Sequence, residues 1–384
     1  MFNEEMEEES LSFSKGKYAC STKRGSVQRL KKIGFAFVLL IAFFVVLNLL
    51  AFGIEYLDYG TYWSRGQPVG LYSNKSGERP RLKKGAKLNG WKYSVSINSM
   101  GFRGPELQQP KPKNGFRIWC IGGSTTFDIY SPSDDKTWCA QLGAILQEKY
   151  PKRLIEVINA GVPGEILRGS MKDVQSFAKT VKPDIVVLYH GPNDLQKLMS
   201  DQRKAFHNRQ HDGNGPPGGG DLSLSSIMLY DLALFRVLGR WLQTGEQMQI
   251  NLSDGELKSA SQNNLAHEIS NAIAITKRVR ATPIAVSHAL RADPDVKGEE
   301  AKKQVGEATM LLQLSPESTI KAYADYNRIL KRIAKEKRVV FTDVRAVIPP
   351  DSKYWGDATH FLEPGSQLAA QSIAKSIIEA RLVE

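Results

Sequence analysis

The stretch RIWCIGGSTT, residues 117–126, runs from apolar, strand-forming residues into two glycines and a serine. Glycine allows a sharp turn directly after a strand, and such a turn brings the hydroxyl of Ser124 to the carboxyl edge of a sheet. Ligands of open α/β sheets bind at that edge. Because ordinary turns also use Gly and Ser, the meaning of Ser124 depends on whether chemical partners follow it in the chain.

From Phe116 onward, short β-rich runs alternate with helical patterns. The runs predict five strands, which are Phe116–Ile121, Leu154–Ile158, Ile185–Tyr189, Pro283–Val286 and Val339–Thr342. Strands that alternate with helices form βαβ units with right-handed crossovers. Residues 111–384 are therefore predicted to form one three-layer α/β domain around a five-stranded parallel sheet.

Four polar stretches lie at or after the ends of predicted strands. They are Ser124, Asn159–Gly164, His190–Asp194 and, after the last strand, Asp357–His360. In a parallel sheet every strand ends at the same edge, so we expect these stretches to converge.

The residue types in these stretches suit acyl transfer. A serine hydroxyl becomes a good nucleophile when an imidazole takes its proton, and His360 can do this with Asp357 fixing its tautomer. The tetrahedral intermediate needs fixed hydrogen-bond donors for its oxyanion. The backbone N–H groups of Ser124 and Gly164 and the side-chain amide of Asn193 are the candidate donors.

This ordered set resembles the SGNH (GDSL-like) hydrolase superfamily. The motifs are Gly-Gly-Ser-Thr, Asn-x-Gly-x-x-Gly, Gly-x-Asn-Asp and Asp-x-x-His, and the resemblance covers Phe116 to the C-terminus. Gly-Gly-Ser-Thr replaces the family's Gly-Asp-Ser-Leu. Residues 101–106, GFRGPE, also look like the lead-in of membrane-anchored members.

The resemblance implies a flavodoxin-like sheet between helices and a reaction without metal or organic cofactor. It also implies Ser124 as nucleophile, Asp357 and His360 as the rest of a triad, and Gly164 and Asn193 as oxyanion donors. The sequence lacks Gly-x-Ser-x-Gly, the elbow motif of α/β-hydrolases.

The remaining polar candidates have structural interpretations. His190 is expected to be a wall residue of the site rather than a participant, and Arg103 is expected to tie the lead-in to the domain. No metal site is predicted, because the other four histidines lack ligand spacing. Cys120 and Cys139 are expected to be buried thiols, with pairing in an oxidising compartment as the alternative.

The N-terminal part predicts a membrane anchor. Residues 1–32 are expected to be a disordered cytoplasmic tail, and residues 33–54 are 22 residues without a charge, long enough to span a bilayer. A cleaved signal peptide is the alternative. Basic residues precede the span and acidic ones follow it, so we expect a single-pass cell-membrane protein with a cytoplasmic N-terminus. The domain would then be periplasmic or extracellular.

Two further segments complete the predicted organisation. Residues 55–110 are interpreted as a juxtamembrane linker and lead-in, with an extended segment around Trp91–Asn98. An insertion at about 200–260 holds the loop His207–Asp221 and an apolar helical stretch, Leu222–Leu242. That stretch is a candidate lid, a helix lying on the bilayer, or a helix packed on the domain's own flank.

The sequence leaves three functions open. The formal net charge of +12 favours anionic neighbours such as lipid head groups or acidic glycans, although ordinary solubilising charge is the simpler explanation. An extracytoplasmic domain makes nucleic acid an unexpected partner. The first hypothesis is an esterase acting on an acylated glycan or lipid. The alternatives are an O-acyltransferase that acylates a cell-surface glycan and a non-catalytic envelope scaffold; the oligomeric state is open.

Overall fold

The computed structural model describes residues 2–61, 63–64, 67–68, 70–73, 79–210, 257–292 and 298–384. The chain divides into two compact units, one comprising residues 1–55 and 222–244 and the other residues 56–221 and 245–384. The predicted helix Leu222–Leu242 and most of the predicted loop before it lie outside the described residues, so their role stays a prediction.

The first unit contains most of a long helix, α1, Phe2–Tyr59. Its segment Arg29–Tyr59 is long and apolar enough to cross a membrane. The helix also covers residues 2–32, for which the composition predicts disorder. No proline occurs before residue 60, so nothing in this stretch interrupts helical hydrogen bonding.

The second unit is built on a five-stranded sheet. After two short hairpins, β1 (Trp63–Ser64) with β2 (Gln67–Pro68) and β3 (Lys87–Asn89) with β4 (Ser94–Ser96), the sheet strands are β5 (Gly115–Gly122), β6 (Leu154–Gly161), β7 (Ile185–Tyr189), β8 (Thr282–Val286) and β9 (Val340–Thr342). All four neighbouring pairs are parallel. The five predicted strands are confirmed, with ends that shift by at most three residues.

Helices cover both faces of the sheet. They are α2 (Ser124–Phe127), α3 (Trp138–Lys149), α4 (Leu167–Val181), α5 (Pro192–Gln210), α6 (Ser259–Arg278), α7 (Gly298–Leu312), α8 (Pro316–Glu336) and α9 (Glu363–Glu379). Alternate residues of β5 point to opposite faces, so Ile118 and Cys120 pack against α3 and α9, whereas Trp119 and Ile121 belong to the core shared with α4 to α8. Cys120 and Cys139 are buried free thiols. The predicted three-layer architecture is confirmed.

The order of the strands locates a crevice at the sheet edge. The order is β6-β5-β7-β8-β9, so the chain crosses from β5 to one side for β6 and to the other side for β7 and the strands after it. This is the flavodoxin-like order, in which ligands bind outside the carboxyl ends of the strands where the direction reverses. Ser124 follows β5 and Asn193 follows β7, so both stand at this point.

Residues 79–110, called the lead-in below, are more closely packed than the predicted linker. Tyr93, Val95 and Ile97 are all buried, whereas Ser94 is exposed and Ser96 partly so. The three alternate along an extended segment and therefore share one face. That face joins an apolar cluster that also contains Phe127, at the end of α2.

Candidate active site

Three of the predicted site residues meet at the carboxyl edge of the sheet. The Ser124 hydroxyl lies 2.7 Å from His360 Nε2, although the two residues are 236 positions apart in the chain. On the other side of the ring, His360 Nδ1 lies 2.6 Å from Asp357 Oδ2. Ser124 begins α2 directly after β5, and His360 lies three residues before α9. Hydroxyl, imidazole and carboxylate thus form one continuous hydrogen-bonded line.

The turn at Asp357 explains the orientation of the imidazole. Asp357 Oδ1 accepts hydrogen bonds from the backbone N–H groups of Thr359, at 2.7 Å, and His360, at 2.9 Å. This local closure leaves Oδ2 free to face the ring. Because a carboxylate only accepts, Nδ1 must carry the ring proton, and the network assigns Nε2 as the acceptor for the Ser124 hydroxyl.

The electrostatics keep Asp357 ionised. Burial raises the pKa of this carboxyl, but attraction to His360 and hydrogen bonds from His360 and Thr359 outweigh burial and lower the pKa to about 2. The negative charge is thus present at every pH above about 3, where it can stabilise a positive imidazole. The arrangement can hold and return a proton at the serine oxygen.

Asn193 lies beside Gly123, the residue before Ser124, and Gly164 directly precedes the residue whose carbonyl Asn193 binds. Asn193 Nδ2 is 2.6 Å from where a β-carbon on Gly123 would stand, so only glycine leaves room for the amide beside Ser124. The same nitrogen donates to the carbonyl of Glu165 at 3.0 Å. Gly164 precedes Glu165 and has a φ of +83°, a left-handed conformation that favours glycine. Their roles as oxyanion donors stay predictions.

His190 belongs to a buried network on the α4 side. Its Nε2 lies 3.1 Å from the Ser170 hydroxyl, and its Nδ1 lies 3.4 Å from Asp194 Oδ2. Asp194 in turn accepts the backbone N–H of Leu167 at 2.8 Å, at the start of α4. The structure therefore gives His190 partners that anchor two helices, and its role as a wall residue stays a prediction.

Arg103 connects the lead-in to the helix that carries the serine. The guanidinium donates from Nη1 to the carbonyls of Phe127 and Asp128, both at 2.9 Å, and Nε lies 2.8 Å from Asp134 Oδ1. The guanidinium also stacks over the Phe127 ring, 4.8 Å from its centre. Arg103 is only 3% exposed, so these contacts are well shielded from water.

The sequence did not indicate Tyr130. Its ring packs edge-on to the His360 ring with 5.9 Å between centres, and the side chain is 41% exposed. It is therefore an aromatic surface at the mouth of the site. No motif marks such a residue, because its place depends on the path of the loop after α2.

A sequence model of the GDSL-like lipase/acylhydrolase family matches residues 120–368, well over half of the chain. The chain belongs to this family. It is therefore an ester hydrolase of the SGNH/GDSL type, and the matched region contains Ser124, Gly164, Asn193, Asp357 and His360. Comparison with curated proteins gives no match.

Solved structures show distant similarity. LAE5, an alpha/beta hydrolase enzyme from the metagenome of Lake Arreo, Spain, is 15% identical, with 68% of this chain and 94% of that chain covered and a TM-score of 0.41. Axe2, an acetylxylan esterase from Geobacillus stearothermophilus, is 17% identical, with 69% and 96% covered and a TM-score of 0.39. A GDSL-like lipase from Bacteroides thetaiotaomicron is 12% identical, with 71% and 93% covered and a TM-score of 0.39.

Within the described parts of the chain, no group of three or more His, Cys, Asp or Glu side chains is arranged to hold a metal ion. The prediction that the enzyme uses neither metal nor organic cofactor stays a prediction.

Proposed function

We propose that this protein cleaves an ester through a Ser124–His360–Asp357 triad and a covalent acyl-enzyme. The observation that carries the proposal is the pair of hydrogen bonds on opposite sides of the His360 ring, at 2.7 Å to Ser124 and 2.6 Å to Asp357. These distances are those expected of a nucleophile, its base and the group that orients the base. The substrate is an acylated glycan or lipid.

The reaction proceeds in two halves. Ser124 Oγ attacks the ester carbonyl while His360 Nε2 takes the hydroxyl proton, and Asp357 stabilises the resulting imidazolium. Collapse of the tetrahedral intermediate breaks the bond to the alcohol, which leaves with the proton from Nε2. A water molecule then gives its proton to Nε2 and attacks the acyl-enzyme, releasing the acid and restoring the Ser124 hydroxyl.

The oxyanion of each intermediate is held by the backbone N–H groups of Ser124 and Gly164 and by the amide of Asn193. Support comes from Asn193, which lies beside Gly123 and donates one hydrogen bond from Nδ2 to the Glu165 carbonyl. An amide nitrogen has two hydrogens, so one remains for the oxyanion. Fixed donors of this kind are worth about 10²–10³ in turnover each.

A covalent probe tests the nucleophile. Wild-type protein should be labelled by a fluorophosphonate and should hydrolyse nitrophenyl acetate, whereas Ser124→Ala should lose labelling and at least about 10³-fold in kcat. Ser133→Ala, which removes a hydroxyl that donates to Asp135 and not to His360, is the control and should behave as wild type. A well-folded wild type that takes no label and cleaves no ester would contradict the proposal and favour the scaffold.

The acceptor of the acyl group separates hydrolase from transferase. We expect water to resolve the acyl-enzyme, so added oligosaccharide should leave the rate of acid release unchanged. Acylated oligosaccharide in the products, identified by mass spectrometry, would instead identify the protein as an O-acyltransferase that uses the same site.

The location proposed for the site is outside the cytoplasm. Support comes from the apolar segment Arg29–Tyr59 and from five basic residues that precede its uncharged part, namely Lys23, Arg24, Arg29, Lys31 and Lys32. Basic residues flank the cytoplasmic end of such helices. A reporter fused after Glu384 that works only outside the cytoplasm should be active, and activity of a cytoplasm-only reporter would overturn this orientation.

A further inference from the structure

Arg79 reaches from the start of the lead-in to the loop that follows β6. Its Nε lies 2.9 Å from Glu165 Oε2, and its Nη1 donates to the carbonyl of Gly169 at 2.6 Å. Nη2 pairs with Asp173 on α4. The Glu165 side chain is only 2% exposed, so Arg79 supplies a cation to a carboxylate that water scarcely reaches.

Glu165 is connected to two of the proposed oxyanion donors, the Asn193 side chain and the Gly164 backbone N–H. Its carbonyl accepts the Asn193 amide at 3.0 Å, and it directly follows Gly164 in the chain. Its backbone N–H closes the turn by donating to the Val162 carbonyl at 2.9 Å. A shift of Glu165 would therefore move Gly164 and Asn193 together.

The Glu165 carboxylate is held on one side by a backbone N–H and packs closely against Gly169 on another. Oε1 accepts the backbone N–H of Ile166 at 3.0 Å, and a β-carbon on Gly169 would overlap the carboxylate. Burial raises the pKa of Glu165, and attraction to Arg79 and the hydrogen bond from Ile166 only partly offset this rise. A buried carboxylate that loses its cation moves toward water or takes up a proton, and either change disturbs the turn.

We propose that Arg79 is a positioning residue of this hydrolase. It holds the Glu165 side chain, and Glu165 holds the Gly164 turn and the Asn193 amide where negative charge develops on the substrate. The inference rests on the proposed function, since it concerns the same oxyanion donors. It adds a residue that lies 41 positions before the start of the family match, so the lead-in becomes part of the functional enzyme.

The test compares Arg79→Met with Arg81→Met. Arg81 also pairs with Asp173, at 2.5 Å, and is 46% exposed at its side chain, which makes it a matched control on the same segment. With nitrophenyl acetate, Arg79→Met should lower kcat and kcat/KM together by about 10- to 100-fold, because small misplacements of catalytic groups have effects of this size. KM should stay within about twofold, and Arg79→Lys should recover part of the loss. Arg81→Met should keep wild-type kinetics.

Glu165→Gln provides a second route to the same answer. It keeps the shape of the side chain and should lower kcat as Arg79→Met does, and the double variant should be no slower than the slower single variant. This variant decides the matter if Arg79→Met does not fold. Wild-type kcat in Glu165→Gln, or equal losses in Arg79→Met and Arg81→Met, would overturn the inference. Failure of the proposed function is recognised separately, because then the wild type itself would take no label and cleave no ester.

Discussion

The sheet edge and the lead-in contribute to the same site in different ways. At the sheet edge, Ser124 and Asn193 stand where parallel strands end, and His360 reaches Ser124 from a turn far along the chain. In the lead-in, Arg79 and Arg103 bind groups beside the site, and the buried face of the extended segment packs against Phe127. The direction of the strands brings the first group together, whereas arginine side chains and apolar packing attach the second.

The two regions therefore have different roles: the sheet edge carries the reacting groups, and the lead-in supports their positions. A residue at the sheet edge that contacts the reacting atoms can be exchanged with little effect on packing, because the strands beneath it hold the position. A lead-in arginine has buried partners that remain buried when it is removed, so its loss affects stability or geometry.

The largest effect is expected for Asp357→Asn, which tests the sheet edge alone. The amide donates where the carboxylate accepted, so it favours the wrong tautomer of His360, and kcat should fall by about 10⁴-fold. The free energy of unfolding should fall by at most about 2.5 kcal/mol, because the neutral amide loses the attraction to His360 but keeps an oxygen for the Thr359 and His360 N–H groups. Steady-state kinetics and urea unfolding of the same preparation measure both quantities. A loss below tenfold would remove Asp357 from the triad.

The sheet edge was the part that the sequence could predict. Strand-forming runs followed by Gly, Asn or His marked the strand ends, and the parallel topology then required the ends to share one edge. This argument brings Ser124 and Asn193 to one edge. Asp357 lies 15 residues after β9, so its place beside Ser124 with His360 was predicted from the Asp-x-x-His motif instead. The partner of Asn193 was not predictable in the same way, because a backbone carbonyl such as that of Glu165 has no sequence signature.

The second prediction tests the lead-in. Arg103→Met removes the guanidinium that donates to the Phe127 and Asp128 carbonyls. Both carbonyls lose a hydrogen bond, and Asp134 loses its ion pair with Arg103. The free energy of unfolding should fall by about 3–5 kcal/mol, as measured by urea unfolding. Arg103→Lys is the control that retains charge, and it should still lose part of the stability because a lysine cannot reach several acceptors at once. An Arg103→Met protein as stable as wild type would show that the lead-in is only a linker.

The lead-in was predictable only in part: its extended segment and the attachment by Arg103 were expected, but its packing and the Arg79 contact were not. Its strands, Lys87–Asn89 and Ser94–Ser96, are only three residues each, too short for a periodic pattern to stand out. The ion pair between Arg79 and Glu165 joins residues whose sequence surroundings show no relation. Charged residues in a Gly- and Lys-rich segment are usually solvated, so composition favoured a linker.

The smallest effect concerns the change in stability between pH 7 and 4. It is expected at the sheet edge, where His288 lies fully buried two residues after β8, whereas the lead-in contains no histidine. Burial lowers the pKa of His288 to about 3, and the neighbouring His360 and His190 act in the same direction. Between pH 6.5 and about 3 the unfolded chain binds a proton at His288 that the folded protein does not, so the stability present above pH 6.5 is lost as the pH falls.

His288→Gln should therefore flatten the decrease in the free energy of unfolding between pH 7 and 4, by at most about 1.4 kcal/mol per pH unit. Burial raises the pKa of Asp128 to about 6, although hydrogen bonds from Trp138 and Ser366 oppose this rise. Protonation of Asp128 therefore stabilises the folded protein as the pH falls, the opposite of the His288 effect. Because Asp128 is present in both proteins, its contribution cancels when their slopes are compared. His267→Gln, at an exposed position, should leave the slope as in wild type. If the free energy of unfolding changes with pH at the same slope in wild type and His288→Gln, this histidine is protonated in the folded protein. The loss of stability in acid would then have to come from the ion pairs that hold the lead-in.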